Sequence, residues 1–527
     1  MPSDDLATQA ALSERAIAQG RGDGHDWMMV GLARSAAEDV AGADAAFAHA
    51  LALEPGNPAI LTGQAIHLRR QGRIRDAVLA CDAAIAAWPD YADAWLERGS
   101  LLSLGNSPEA RTSFLRAAQL DPGKPAAHAA LAAIAARLGE ADEARACAAR
   151  ALALEPGHPL ATCALASVEN DAGNPAQARA LLEPLTAGLA EPSSDRSLAF
   201  GMLGDARHRL GDRAGAYEAY ARSKADFAAV NEPALQGRLT HRAFVEALTA
   251  GVEAVPEADW RDAPSAPSDS AVPGPHVFVL GYPRSGNTLL ENILASIPGT
   301  FALEERPTLS AADHAFINGS ADEVVAGIAA FARLDGTGLA SYRVAYWDKV
   351  RSAGMPADAR AFIDMDPLKG TRLPFISRLF PQARVLLIRR DPRDVVWSCF
   401  RTSFAFSSGT LDFTSLERTA RHYDALMRLT ELALARLPLN VHVVHYHRLV
   451  QDFDAETKTI CAFAGLEWSA EVHRFAATAQ HRGVTTASVG QVRRGLFDGT
   501  RQWEPYAPFL EPVMPLLMPW VEKFGYA

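Results

Sequence analysis

Apolar residues recur with helical spacing along the first half of the chain and gather into short unbroken runs along the second. From about residue 10 to residue 232, alanine and leucine fall three and four apart between brief turns, which predicts helix after helix. A further helix is expected over 233–251. From His276 the runs HVFVLG (276–281), ARAFIDM (359–365), ARVLLIRR (383–390) and NVHVVHY (440–446) alternate with helical periods, the first being TLLENILASI (288–297). Short buried strands between helices predict an α/β domain, with a mostly parallel sheet covered on both faces. Ligands of such sheets bind beyond the C-terminal ends of the strands. Between the halves, VPEADWRDAPSAPSDSAVPGP (255–275) carries five prolines among Ser, Ala and Asp, which predicts a linker without helix or core. The expected division is a helical array over 10–251, a Pro-rich linker over 252–275 and the α/β domain over 276–527.

The helical half repeats itself. ALALEPGNP (50–58) returns as ALALEPGHP (151–159), with weaker copies AIAAWPDYA (84–92) and AAQLDPGKP (117–125). Pro55, Pro89, Pro122 and Pro156 are therefore 34, 33 and 34 residues apart. The unit beginning near Gly24 sets Trp27, Gly31, Ala43, Phe47, Ala50 and Pro55 in the order that packs two antiparallel helices. Small residues let the helices approach, and a bulky one fills the gap between them. Gly72, Gly105, Gly139 and Gly173 fall at the turns, where a left-handed residue is expected. Period and pattern resemble tetratricopeptide repeats. The resemblance implies an all-α solenoid of about six repeats with a concave groove for a peptide or protein partner.

Composition narrows the class. Apolar residues make up 49% and charged residues 21%, as in folded chains. The formal net charge of −11 argues against a general nucleic-acid binder. No apolar stretch approaches the length of about 18 residues that a membrane span needs, so no membrane partner is expected. The start, MPSDDLATQAALSER, is acidic and polar, unlike a secretory signal. The five cysteines are scattered without a CxxC pair, which fits free thiols and a cytoplasmic location.

The sharpest local signal is GYPRSGNT (281–288), between the first strand and its helix. Gly281 and Gly286 allow a tight turn. The amides of Ser285, Gly286, Asn287 and Thr288 then face the strand's end, where the following helix adds its positive pole. In a nucleoside-triphosphatase loop a Lys precedes the final Ser or Thr. Here Asn287 stands in that place and the cation is Arg284, which disfavours a kinase. A second motif, ARVLLIRRDPRDVVWSCF (383–400), is an apolar strand ending in Arg389–Arg390 and leading into a helix. An arginine at a strand end presents a fork to phosphate oxygens.

These two motifs resemble those of sulfotransferases that use 3′-phosphoadenosine-5′-phosphosulfate (PAPS). The run FVLGYPRSGNTLLENILASIPGTFALEE is most similar to bacterial tetratricopeptide sulfotransferases and animal tyrosylprotein sulfotransferases. The resemblance implies a P-loop-like α/β fold and PAPS as sulfuryl donor, with the bisphosphate PAP as product and no metal. It places the 5′-phosphosulfate on the 284–288 turn, with Arg284 as leaving-group cation. The 3′-phosphate falls to Arg390 and Ser398, the adenine to Tyr446, and the closing of the nucleotide site to TTASVGQVRRGLFDGTRQWEPY (485–506), through Ser488, Arg493, Arg494 and Gly495 with Trp503 as anchor. Arg393 and Asp394 are read as a structural ion pair. The general base counts to Glu305, seven residues past Pro298, with Glu304 beside it. A departure lies at Asp364-Met365-Asp366-Pro367-Leu368-Lys369, where Met365 takes the place of the family's lysine. Lys369 is expected to swing in instead; otherwise Arg284 acts alone or turnover is weak. His442, His445 and His447 alternate near the last strand, but no carboxylate or thiol completes a metal site. The acceptor implied is a hydroxyl, a protein or peptide tyrosine first, with a glycan or small metabolite as alternatives. The rival reading is a protein-binding scaffold that has lost turnover.

Overall fold

The computed structural model describes residues 3–105, 107–261, 274–482, 489–493 and 495–527. Their contacts divide into two compact units, Met1–Ala190 with Asp205–Leu210, and Glu191–Gly204 with Gly211–Ala527.

In the first unit helices Gly24–Ala36 and Val40–Leu53 form an antiparallel pair, and such pairs recur through Pro159–Asp171 and Pro175–Gly188. Local sequence sets their starts. Asp23 caps the first helix in a reciprocal box with Asp26, and Pro58, Pro125, Pro159 and Pro175 each open a helix, where their missing N–H costs nothing. Inside the pairs the small-and-bulky pattern is literal. A Cβ on Gly31 would sit 3.0 Å from the ring of Phe47, itself 1% exposed. The turns follow expectation at Gly72, Gly139 and Gly173, which have positive φ, but Gly105 ends its helix at φ −95°.

The second unit is built on five parallel strands: β1 (His276–Gly281), β2 (Thr300–Glu304), β3 (Ala361–Met365), β4 (Arg384–Arg389) and β5 (Asn440–His445). Their order across the sheet is β2-β3-β1-β4-β5, with Gly281 level with Ile388 and Arg389 level with His445. Alternate residues bury to opposite faces. Phe278, Leu280, Phe362, Val385 and Leu387 join one apolar cluster, and Val277, Val279, Ile363, Met365 and Leu386 join the other. Both faces are thus covered, which is why these strands read as continuous apolar runs. From β1 the chain moves toward β2 and from β4 toward β5, so the connections part between β1 and β4. That point is the crevice where open parallel sheets bind ligands.

Two expected boundaries shift. The helix His241–Ala254 buries Val245, Leu248 and Val252 in the same cluster as Phe278 and Leu387, so this stretch belongs to the sheet unit rather than to the solenoid. The expected linker begins as core. Val255 is 2% exposed, Trp260 is fully buried, and Glu257–Arg261 is helical. Proline and serine dilute this segment's average hydrophobicity, but one indole is large enough to anchor it. Residues 262–273 of the linker lie outside the described residues. Trp260→Ala is expected to cost about 3–5 kcal/mol in urea unfolding of the full chain, the scale of emptying a buried Trp site. A passive linker would leave the midpoint unchanged.

Candidate functional site

Each strand of the parallel sheet releases its chain at the same edge, and the predicted site residues follow one strand end after another. The β1 end leads into the turn 282–286, β2 into Glu305, β3 into Asp366–Lys369, β4 into Arg390 and β5 into Tyr446. The turn after β1 is held from within. The Ser285 N–H donates to the Tyr282 carbonyl at 3.1 Å, and Asn287 Nδ2 donates to the same oxygen at 2.9 Å. Ser285 N–H thus closes the turn, and the anion cradle narrows to the first turn of the helix Asn287–Ala295, whose leading N–H groups have no intrahelical acceptor. Thr288 lies in that turn and is 5% exposed. Gly286 is obligatory: its φ is +111°, and a Cβ there would lie 2.7 Å from the Tyr446 ring.

Two guanidiniums are buried against this turn, Arg284 and Arg390, each 9% exposed. Arg390 donates through Nη1 to the Arg284 carbonyl at 2.8 Å and lies over the Tyr446 ring at 4.7 Å. Arg284 Nε donates to Ser398 Oγ at 3.0 Å and its Nη2 to Gln491 Oε1 at 2.9 Å. Burial lowers the Arg284 pKa to about 10, helped by repulsion from Arg401 and Arg390. The Arg390 Nε is buried without a hydrogen bond, 4.0 Å from Asp394 Oδ2. Positive charge is therefore concentrated beside a helix N-terminus, an arrangement that calls for an anion.

The C-terminal segment closes over this place. Arg390 Nη2 donates to the Gly499 carbonyl, Tyr446 Oη donates to the Phe497 carbonyl at 2.9 Å, and Gly499 N–H donates to Tyr446 Oη at 3.3 Å. Asp394, fully buried, accepts the N–H groups of Arg501 and Trp503 at 2.9 and 3.0 Å. Arg393 pairs with Asp391 instead and lies over the Trp503 ring, so the expected Arg393–Asp394 pair is not formed. Its neighbour's carboxylate is turned inward to cap the closing segment. Arg493 ends the short helix Val489–Arg493, and Gly495, at φ +99°, borders a cavity of about 50 Å³ with Arg284, Gly286, Arg390 and Tyr446. Ser488 and Arg494 lie outside the described residues.

On the other side of β1, Glu305 continues the sheet: its N–H donates to the Met365 carbonyl at 2.7 Å, and its φ is +48°. Its pKa is raised to about 7, first by desolvation and then by Asp366, Glu304 and Glu291, with Lys369 opposing. The side chain opens to solvent, which weakens the desolvation, but three carboxylates push the same way. In the second unit the described non-glycine residues with positive φ are Arg284, Glu305 and Arg501, all at this edge of the sheet. Local strain of this kind gathers where structure serves chemistry.

Residues 275–470 match the sulfotransferase family, and residues 28–92, 62–125 and 100–159 match the tetratricopeptide repeat. The sheet domain is therefore similar to the sulfotransferase family over residues 275–470. The nodulation protein NoeE of Sinorhizobium fredii (strain NBRC 101917 / NGR234) is 28% identical over 239 residues, covering 41% of this chain and 55% of that protein. An uncharacterized protein of Aquifex aeolicus (strain VF5) is 28% identical over 258 residues, covering 47% of this chain and 33% of that one. The chain thus spans about half and a third of the lengths of these relatives. Among solved structures, the sulfotransferase domain of the Synechococcus PCC 7002 olefin synthase aligns at 20% identity and a TM-score of 0.35, over 50% of this chain and 98% of that one. The repeat protein YrrB aligns at 20% identity and a TM-score of 0.28, over 40% of this chain and 98% of that one.

The sheet domain brings Arg284, Ser285, Gly286, Arg390, Ser398, Tyr446 and Gly495 together at this edge. Lys369 is placed differently. It is 4% exposed and its ammonium is engaged by Asp364 and by the Arg306 carbonyl at 3.1 Å. Asp364 also accepts from Thr308 and from Tyr346, whose hydroxyl meets His276 Nε2 at 2.7 Å. The expected swing of Lys369 would break a buried ion pair, so its contacts assign it to holding the β3 end. Met365, in the family lysine's place, is fully buried in an apolar cluster. Gln491 and the Gly499 carbonyl carry no mark in the sequence, since an amide and a main-chain oxygen leave no signature in spacing, and Asp394, expected to pair with Arg393, caps the closing segment instead. His442 packs on Phe463 while His445 and His447 face Tyr526; they do not converge. Lys369→Met is expected to lower stability by about 3–5 kcal/mol, because Asp364 is left buried without its partner. Thermal denaturation checks this; an unchanged melting temperature would return Lys369 to the catalytic set.

Proposed function

We propose that the chain transfers the sulfuryl group of PAPS to a hydroxyl acceptor, releasing PAP. The observation that carries this reading is the pair of buried guanidiniums, Arg284 within the phosphate turn and Arg390 bonded to its main chain. One anion beside each cation matches a nucleotide with phosphate groups at both its 5′ and 3′ positions. The donor supplies the activated sulfuryl group; the rest is done by residues of the chain. The first turn of the helix Asn287–Ala295 and Arg284 bind and orient the 5′-phosphosulfate end and oppose the negative charge that grows on the leaving phosphate. Arg390 and the Ser398 hydroxyl hold the 3′-phosphate, and Tyr446 lies beside the base. The Gly499 carbonyl and Gln491 now occupy donors of these arginines. A cavity of about 50 Å³ is far below the size of a nucleotide, so binding must displace this part of the closing segment.

Glu305 is the proposed base. A carboxylate with a pKa near 7 is well matched to accept the proton of an attacking hydroxyl. The acceptor proposed first is a protein or peptide tyrosine, supported by the repeat array, since such arrays offer concave surfaces to peptides. A glycan or small hydroxylated metabolite is the alternative. A second reading, a nucleotide-binding scaffold without turnover, is favoured by one observation: the family lysine is replaced by buried Met365, and Lys369 is tied to Asp364.

PAP is expected to raise the melting temperature while ATP with magnesium does not. Transfer of label from PAPS to a phenol or tyrosine peptide then separates enzyme from scaffold. The base must be ionised to act, so kcat/KM is expected to climb as pH rises through about 7 and to level off above it. Glu305→Gln should lower kcat by about 10²–10⁴-fold and abolish that acidic limb. A limb that survives the substitution would assign the proton to another group.

A further inference from the structure

Away from the arginines, three buried side chains of the sheet unit converge on one point. His241 opens the helix His241–Ala254, Asp412 lies in the short 3₁₀ turn Thr410–Phe413, and His422 lies in the helix Leu416–Arg436. They are 9%, 4% and 0% exposed, and one ligand atom from each lies within 4.8 Å of the others. This is the one such cluster among the described residues. His241 Nδ1 and His422 Nε2 are 2.7 Å apart, and the second ring nitrogen of His422 is 2.6 Å from the Tyr282 hydroxyl. Asp412 accepts the Arg242 N–H at 3.1 Å but forms no salt bridge among the described residues. Desolvation of this carboxylate outweighs the attraction of the more distant Arg418 and Arg242, and a cation bound directly to it offsets that cost.

We propose that His241 Nδ1, His422 Nε2 and the Asp412 carboxylate bind a divalent transition cation of the zinc type. Two imidazoles and one carboxylate are a zinc donor set that leaves a fourth position open. His241 also borders a cavity of about 1130 Å³, which gives a path for the ion and room for a water ligand. Without the ion, His241 Nδ1 and His422 Nε2 share one proton, and His422 Nδ1 is hydrogen-bonded to the Tyr282 hydroxyl. With it, the two nitrogens separate to roughly 3.3 Å, from zinc–nitrogen bonds of about 2.0–2.1 Å in a tetrahedron. His422 Nδ1 then carries the proton and donates to the Tyr282 oxygen, the usual outer partner of a metal-bound imidazole. Tyr282 belongs to the phosphate turn, whose Ser285 and Asn287 it anchors. The ion would therefore brace that turn without touching the reacting groups.

The test is titration of the chelator-treated full chain with zinc chloride against a chromophoric competitor, followed by cobalt in place of zinc. One equivalent of zinc per chain, and visible bands of tetrahedral cobalt, are expected. Asp412→Asn and His241→Gln should each weaken zinc at least tenfold. Asp412→Asn keeps an oxygen for the Arg242 N–H, so it decides the matter if His241→Gln fails to fold. Absence of stoichiometric binding, or affinity unchanged in Asp412→Asn, would overturn the proposal and leave the two rings sharing only a proton.

Discussion

The site depends on one constraint: two guanidiniums, those of Arg284 and Arg390, are kept buried at the phosphate turn. Arg390 holds the main chain of that turn through the Arg284 carbonyl and is itself seated on the Tyr446 ring. Arg284 is steered by the Ser398 hydroxyl and the Gln491 amide, both neutral groups. These two contacts orient the guanidinium without themselves adding a negative charge. Asp394 lies 4.0 Å from Arg390 Nε and also accepts main-chain N–H groups of the closing segment.

A parallel sheet makes this assembly possible. All five strands end at one edge, and the chain leaves them in opposite directions between β1 and β4. Residues more than a hundred positions apart in sequence meet there because their strands are hydrogen-bonded neighbours. The same edge carries the unit's described positive-φ residues other than glycine, so the turns that place Arg284, Glu305 and Arg501 are held against their own preference by the packing behind them. The network of His276, Tyr346, Asp364 and Lys369 is part of that support on the β3 side.

Much of this was legible in the residues alone, for definable reasons. The 34-residue period, the apolar runs of β1, β3, β4 and β5, and the glycine turn each leave a local mark in composition or spacing. β2 was not marked: TFALE follows a proline and glycine and precedes acids, so it reads as a turn until β3 is there to pair with it. The solenoid's boundary and the linker were misjudged because only tertiary packing reveals that Val245, Leu248 and Trp260 share a core with the sheet. Lys369 was misjudged for the converse reason. Its type suggested a mobile cation, whereas Asp364 five residues earlier fixes it in place. His241, Asp412 and His422 lie on three separate elements, so no spacing could have joined them.

The account's central claim is that the two arginines grip one nucleotide at both of its charged ends. The most direct measurement is a crystal structure of the full chain with PAP. The account predicts one phosphate at Arg284 and the first turn of the helix after β1, the other at Arg390 and Ser398, with the Gly499 carbonyl released. PAP bound elsewhere, or a turn that stays closed on Gly499 at saturating PAP, would contradict it.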